Sequence, residues 1–593
     1  MLRLSELKLP LDHSEADLIQ AICRRLKIQP SQLQAHHLVK RSVDARKRPA
    51  ISLVYCLDLE LAPQAKSDAK AGAKTEAALL ERFRGDPHLR SSPDTRYQLV
   101  AQVPNDLDAG TALPRPVVVG AGPCGYFAAL LLAQMGLRPL LLERGKAVKQ
   151  RTADTFGFWK GLQPLNPESN AQFGEGGAGT FSDGKLYSQV SEAKALVRKV
   201  LEELVAAGAN PEILTLHHPH IGTFKLATVV RGLRKQIERL GGEVRFESRV
   251  EQLERCPLNH SIQAVVLASG ERLAAQQVVW AVGHSARDSF AMLQRIGVQI
   301  EAKPFAVGLR IEHPQALIDR ARYGSAAGHP KLGAAEYKLV HHCSGPTTAG
   351  RSVYSFCMCP GGLVVGAASE PGRVVTNGMS QHSRNERNAN SALVVGVTVA
   401  DFEPYGNGPN DPLAGVAFQR HWEEAAFAAA GQSYCAPAQR VGDFLAHRSS
   451  EGPIESNPRD GDVRASYLPG VHLGSLDGCL PEFALEAIRE ALPHFTKTIP
   501  GFTMESALLT GVETRTSSPV RVPRDNTTLE CLNTPGLYPA GEGAGYAGGI
   551  LSAAIDGIKV AEQVALTCLQ TNGITPRRLQ SPGERGESAY DPA

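Results

Sequence analysis

The run Val117-Val118-Val119-Gly120-Ala121-Gly122-Pro123-Cys124-Gly125 constrains the fold more than any other part of the chain. Three β-branched residues predict a short buried strand, and an apolar helix to Met135-Gly136 follows. A second buried strand, Pro139 to Leu142, ends at Glu143. Gly120 permits a tight strand-to-helix turn, Gly122 lets backbone approach a diphosphate, and Gly125 lets helix and strand pack closely. The helix N-terminus, opened by Pro123, presents free N–H groups and partial positive charge to phosphates. Glu143 is placed to accept from ribose hydroxyls, and a carboxylate there disfavours a 2′-phosphate. Helix–strand passages recur at Leu226 to Leu240 with Val244 to Val250, at Gln277 to Ala281, and at Gly536 to Pro539 with a helix from about Ile550 to Leu569. This alternation predicts an α/β fold with a doubly wound, Rossmann-like sheet.

Glycine divides the chain. Of 57 glycines, Gly72 and Gly85 alone fall among the first hundred residues. Residues 1–62 read as a small β-α-β-β unit, half of a ferredoxin-like one, with Ser14-Glu15-Ala16-Asp17 as a capping box. Residues 63–115 read as a linker with a short helix near Glu76–Arg84 and one strand near Arg96–Val103, and residues 571–593 as a disordered tail. The formal net charge of +3 over 593 residues argues against a polyanion or membrane-surface binder. The basic turn Lys40-Arg41 to Arg46-Lys47-Arg48 lacks interleaved aromatics and reads as a solvated hairpin tip, so nucleic acid is not an expected partner. The N-terminus has no apolar h-region, and the apolar stretch Val117 to Leu142 is broken by glycines and a proline, so no membrane partner is expected. Eleven cysteines without a CxxC fit reduced thiols and a cytoplasmic location.

Two further glycine clusters extend the first. Gly174, Gly176, Gly177, Gly179 and Gly184, mixed with Thr180, Ser182, Asp183 and Lys185, predict a loop laid against a flat ring or a phosphate. Tyr538 to Ile550 ends a strand and opens a helix. A second helix N-terminus suits FAD, whose ribityl chain and flavin form a second polar end, better than NAD. Gly541-Glu542 resembles the flavoprotein element that contacts the ribityl and phosphate region, and Gly548-Gly549-Ile550 would aim N–H groups at the flavin pyrimidine edge. Val279 to Gly283 resembles the element where such chains cross near the cofactor.

The chain resembles bacterial FAD-dependent dehydrogenases of unassigned substrate, NAD(P)/FAD-dependent oxidoreductases of the glutathione-reductase-like superfamily. The motifs that carry the resemblance are GAGPCG (120–125), GEGGAGTFSDGKLYS (174–188), SFCMCPGG (355–362), NGMS (377–380), NANSALVV (388–395), GVETRTSSPVR (511–521) and YPAGEGAGYAGGI (538–550). The resemblance implies an FAD-binding domain in two parts, 116–300 and 506–570, with an α+β substrate or cap domain inserted at 301–505. It also implies that Val250 meets the adenine, with Arg144 beside Glu143 in the cofactor set.

Chemistry beyond FAD rests on fewer residues. Cys357 and Cys359, two apart on a strand, read as a thiolate near the flavin, a redox pair, half of a metal site, or two buried structural cysteines. No metal site can be assembled from spacing. His382 and Arg384, with Asn377 and Arg387, lie in a polar run that either binds an anionic substrate or forms a solvated loop. Glu513 and Arg515 are expected to pair with one another. Glu175, Asp183 and Lys185 are expected to hold the loop or the cofactor. No second nucleotide-binding domain with its own strand-GxGxxG-helix unit is read, which together with the missing CxxC weakens a disulfide-reductase reading, and NAD(P)H is expected only as a transient electron donor. The expected function is an FAD-dependent oxidoreductase moving hydride between flavin N5 and a small molecule. The alternatives are a flavin monooxygenase, or a flavin-binding electron carrier or RNA-associated factor with the N-terminal unit as its binding module.

Overall fold

The computed structural model describes residues 1–46, 50–62, 69–104, 113–187, 194–452 and 463–574. Lys47 and Arg48 of the basic turn, and the tail from 575 onward, lie outside the described residues.

A five-stranded parallel sheet runs in the order Leu537–Pro539, Val278–Trp280, Val117–Val119, Leu140–Leu142, Glu243–Arg245. Its central strands are continuous apolar runs because both faces are buried. Val118, Leu141, Val279 and Tyr538 pack on helices Pro123–Gln134, Thr223–Arg239 and Ile550–Thr571. Val117, Leu140, Leu142, Val278 and Trp280 face the other way. There the expectation of a doubly wound sheet is corrected, since an antiparallel sheet of Val250–Arg255, Ile262–Leu267 and Arg272–Ala274 covers that face. The reason is local. Ile262 and Ala264 are buried on either side of exposed Gln263, the alternation of a strand, and Val250, Leu253, Val265 and Leu267 are buried with them.

A second sheet of seven strands has the order Val340–His342, Ser352–Cys359, Asn388–Val397, Phe305–Pro314, Leu508–Glu513, Ala436–Arg440, Val471–Leu473. Its two central strands pair over their full length, from Phe305 with Val397 to Pro314 with Asn388. Helix Glu482–Thr498 joins its core through Ala484, Leu485, Ile488 and Leu492. Leu508–Glu513 lies beyond the expected boundary at 505, yet it pairs with Phe305–Pro314 inside this sheet.

The N-terminal unit is larger than 1–62. Helix Ala69–Arg82 and strand Leu89–Ser91 come from the expected linker and complete a β-α-β-β-α-β arrangement with strand order Leu33–Asp44, Ser52–Leu61, Leu2–Pro10, Leu89–Ser91. The capping box forms, with Asp17 N–H donating to Ser14 Oγ at 3.2 Å and Ser14 N–H to Asp17 Oδ2 at 2.8 Å. Arg96–Val103 is not a strand. The sheet edge is already taken by Leu89–Ser91, and Tyr97, Leu99 and Val103 pack instead against the helices of the parallel sheet. Arg41 of the basic turn exchanges backbone hydrogen bonds with the main body, donating to Thr215 O and accepting from His217 N–H. Among the described residues no helix is long and apolar enough to cross a membrane.

Helices Pro123–Gln134 and Ile550–Thr571 meet where side chains are missing. A Cβ on Gly557 would lie 2.2 Å from Cys124 O, and one on Gly125 would lie 1.8 Å from Gly120 O. Gly557→Ala is therefore expected to destabilise the protein by about 1–3 kcal/mol through overpacking, measured by denaturant unfolding. Unchanged stability would show that this helix pair is not so tightly packed.

Candidate functional site

The three glycine clusters converge on one cavity. Gly120, at φ 103°, brings the strand end so near its neighbour that a Cβ would lie 2.4 Å from Ala281 O. Gly122 precedes helix Pro123–Gln134 and Gly549 precedes helix Ile550–Thr571, and no side chain caps either N-terminus. The 174–185 loop passes between these helix starts. A Cβ on Gly177 would lie 2.9 Å from Gly122 Cα, and one on Gly179 would lie 3.1 Å from Ile550 Cγ1 and 3.6 Å from Pro123 Cγ. Gly120, Gly122, Gly177, Gly179, Gly283 and Gly549 all line the cavity.

Buried charges hold the loop. The Glu143 carboxylate accepts from Ala121 N–H at 2.8 Å, Gly145 N–H at 2.9 Å and Gly174 N–H at 2.9 Å, tying the first glycine turn to the second cluster. Glu175, fully buried, accepts from Tyr126 Oη at 3.0 Å and Val148 N–H at 2.6 Å. Arg151 donates to the carbonyls of Asn170, Ala171, Gly174 and Glu175. Arg144 lies over the Phe173 ring, 4.2 Å from its centre, and pairs with Glu168 and Asp288.

The expected cofactor residues divide into two groups. Pro123, Glu143, Arg144, Ser182, Asp183, Lys185, Val250, Glu542 and Ile550 line the cavity with the glycines above. Gly125, Gly174, Gly176, Thr180, Gly541 and Gly548 do not. Most of these act from behind: a Cβ on Gly174 would meet Arg151, one on Gly176 would meet Thr180, and Gly541 N–H donates to Asp556 Oδ2 at 2.7 Å. Asp183 forms a two-pronged ion pair with Arg384, and the Lys185 ammonium donates to Met358 O. Both side chains thus lock the loop to the second sheet.

The expected catalytic residues also separate. Cys357 lines the cavity, while Cys359 is fully buried behind it. His382 and Arg384 do not line it. His382 stacks on His220 and faces Ile221 O at 3.2 Å, and Arg384 is consumed by Asp183 and by Glu336 at 2.8 Å. The expected Glu513–Arg515 pair is not formed. Glu513, at a strand end, faces the neighbouring strand, where Arg310 donates to both its oxygens at 2.9 and 3.1 Å. Arg515, past the strand end, joins Arg287 on the fully buried Glu423, at 2.8 and 2.7 Å. Sequence reading missed Arg310, Arg287, Glu423 and His284. The only available signal was the position of His284 and Arg287 just after Gly283, since the partners lie over a hundred residues away.

Electrostatics on the cavity wall favour neutral groups. His284, beside Arg515 and Arg287, is held down to about 3, chiefly by burial. Burial pushes the Glu542 carboxyl up to about 8, with Lys303 opposing weakly. The wall can hold a long ligand carrying a diphosphate against two helix N-termini, with uncharged hydrogen-bonding groups at its inner end.

Residues 304–516 match the family model described as "FAD-dependent protein, C-terminal domain-like", and residues 1–60 match one described as "Domain of unknown function". A protein of Clostridium beijerinckii, described as uncharacterized, is 44% identical over 565 residues, covering 95% of this chain and 98% of its own. The chain belongs to the same family as this clostridial protein, and its second sheet carries the FAD-dependent-protein signature. Solved structures it resembles in outline include halogenase PltM in complex with FAD (10% identity, 78% of this chain and 70% of that one, TM-score 0.35). Another is the 3-ketosteroid-Δ4-(5α)-dehydrogenase of Rhodococcus jostii (13% identity, 79% and 99%, TM-score 0.31).

The Glu542 shift has a definite sign. An unfolded Glu542 ionises near its ordinary 4.5, whereas in the folded protein it stays protonated to about 8. Folding stability therefore falls as pH rises from about 4.5 to about 8 and levels off above that. Glu542→Gln, measured without added flavin, should unfold with wild type at low pH and at progressively higher temperature than wild type up to pH 8. A gap independent of pH would refute the assignment.

Proposed function

We propose that the chain is an FAD-dependent oxidoreductase acting on a small molecule. The observation that carries this reading is the convergence of two helix N-termini, neither capped by a side chain, on one cavity with a bare glycine loop between them. These surfaces fit FAD, since bare glycine backbone lines the cavity at Gly120, Gly122 and Gly177 and no side chain caps either helix N-terminus. Gly122, Pro123 and Gly177 would hold the diphosphate, Glu143 and Val250 the adenosine, and Glu542, Gly549 and Ile550 the flavin end. When bound, FAD supplies a two-electron hydride acceptor or donor at flavin N5.

The chain's own residues shape the space beside it. Phe356, Cys357, Glu513 and Arg515, from the second sheet and its strand ends, and Thr376 and Asn377, from strand Thr376–Ser380 of a separate two-stranded sheet, wall this space. Arg310 and Arg515 keep their charges paired within the protein, so this wall offers hydrogen bonds rather than a free cation. Protonated Glu542 can donate a hydrogen bond at neutral pH. These features suit a small polar substrate held against the ring.

Purified or reconstituted protein should carry FAD with a flavin absorbance spectrum. Gly177→Val should weaken FAD binding at least tenfold, or ~1.4 kcal/mol, measured by fluorescence titration. Protein that takes up no FAD would sink the proposal, and unchanged affinity in the variant would sink the placement.

A further inference from the structure

Cys357 and Cys359 close the strand Ser352–Cys359 where its pairing with Asn388–Val397 slips, between Phe356 and Cys359. Cys357 has φ 45°, a left-handed conformation that non-glycine residues take seldom and at a cost, typically at functional sites. The irregularity places Cys357 on the cavity wall and leaves Cys359 fully buried behind it, its thiol donating to Cys357 O at 3.3 Å. Two cations meet this turn: Arg310 donates to Cys357 O at 3.2 Å, and Lys185 donates to Met358 O between the cysteines.

The pair is asymmetric. The adjacent Cys359 thiol brings the Cys357 thiol below its ordinary range, helped by Arg310 and Lys185 and opposed by burial. The adjacent Cys357, with burial, pushes Cys359 up. The more acidic sulfur is thus the one on the cavity wall, and the less acidic one is buried behind it. That division of labour is what thiol–disulfide exchange requires.

We propose that Cys357 and Cys359 form a redox-active pair that cycles between dithiol and intramolecular disulfide, with Cys357 the sulfur that attacks a small disulfide substrate. The proposal deepens the oxidoreductase reading and relies on it for the source of electrons. The Cys357 thiolate attacks one sulfur of R–S–S–R′, the S–S bond breaks, and R′S⁻ leaves. Cys359 gives its proton to R′S⁻ and attacks Cys357 Sγ, expelling RS⁻ and closing the 357–359 disulfide. The substrate gains two electrons and the pair loses two. The 357–359 disulfide would be reopened to one thiolate and one thiol by two electrons and one proton, which bound FAD would supply once reduced.

The test uses full-length protein, reduced and then freed of reductant. Treated with 5,5′-dithiobis(2-nitrobenzoate) and mapped by mass spectrometry, wild type should show a 357–359 disulfide with no retained adduct. Cys359→Ser should stop at a thionitrobenzoate adduct on Cys357, and in Cys357→Ser the buried Cys359 should stay unmodified. Wild-type Cys357 that does not react, or that keeps its adduct, would overturn the proposal without any variant having to fold. In anaerobic reduction of protein first oxidised with diamide and freed of the oxidant, wild type should take up two more electrons per flavin than Cys359→Ser. Equal uptake with flavin present overturns the pair and leaves the oxidoreductase reading standing. Protein without flavin fails that reading, and the mapping experiment still judges the pair.

Discussion

The backbone of Gly177 lies against the backbone of Gly122, and the cavity depends on that contact. Any side chain at 177 would meet the turn that opens helix Pro123–Gln134. The contact persists because Glu143 bridges both partners, accepting from Ala121 on one side and Gly174 on the other. Arg151 and Glu175 then fix the rest of the loop from beneath through carbonyls and N–H groups, so its shape does not depend on exposed side chains. A loop built this way presents bare backbone and keeps its form before any ligand arrives, which lowers the ordering cost of binding.

The part of the chain that carries the second sheet is joined to this frame by charge as well as by apolar packing of Phe158, Trp159 and Phe181 against Val365, Ala367 and Met379. Asp183 and Lys185 reach it from the loop, and Arg287 reaches Glu423 from the helix after Gly283. Deep inside, Arg310 spans Glu513, Asn390 and the Cys357 carbonyl at once. Buried ion pairs stabilise little against apolar packing, but losing one partner leaves an uncompensated charge, typically costing about 3–5 kcal/mol. Their effect here is positional. They set these residues at one place on the cavity wall and leave Arg310 and Arg515 without a free charge there.

The N-terminal unit shows how far local patterning reaches. Ser14 and Asp17 specify a helix start through neighbours three residues apart, and the structure contains that cap. Leu89–Ser91 is three residues long with only Leu89 buried, too short for periodicity to reveal, and it becomes a strand because the Leu2–Pro10 edge is open to it. The Arg96–Val103 run carries apolar residues enough for a strand but finds no edge, and packs as extended chain.

The sequence by itself determined the parallel sheet's core strands, the two glycine-marked helix starts, the glycine loop and the acid at Glu143, because each depends on contacts within a few residues or on backbone freedom that only glycine has. Only the tertiary structure decided which charges meet. Glu513 takes Arg310 rather than Arg515, Arg384 takes Asp183 rather than a ligand, and Cys357 rather than Cys359 faces the cavity. Those choices follow from strand register and from a bulge that redirects the Cys357 backbone, and partners some two hundred residues apart leave no spacing in the sequence to read.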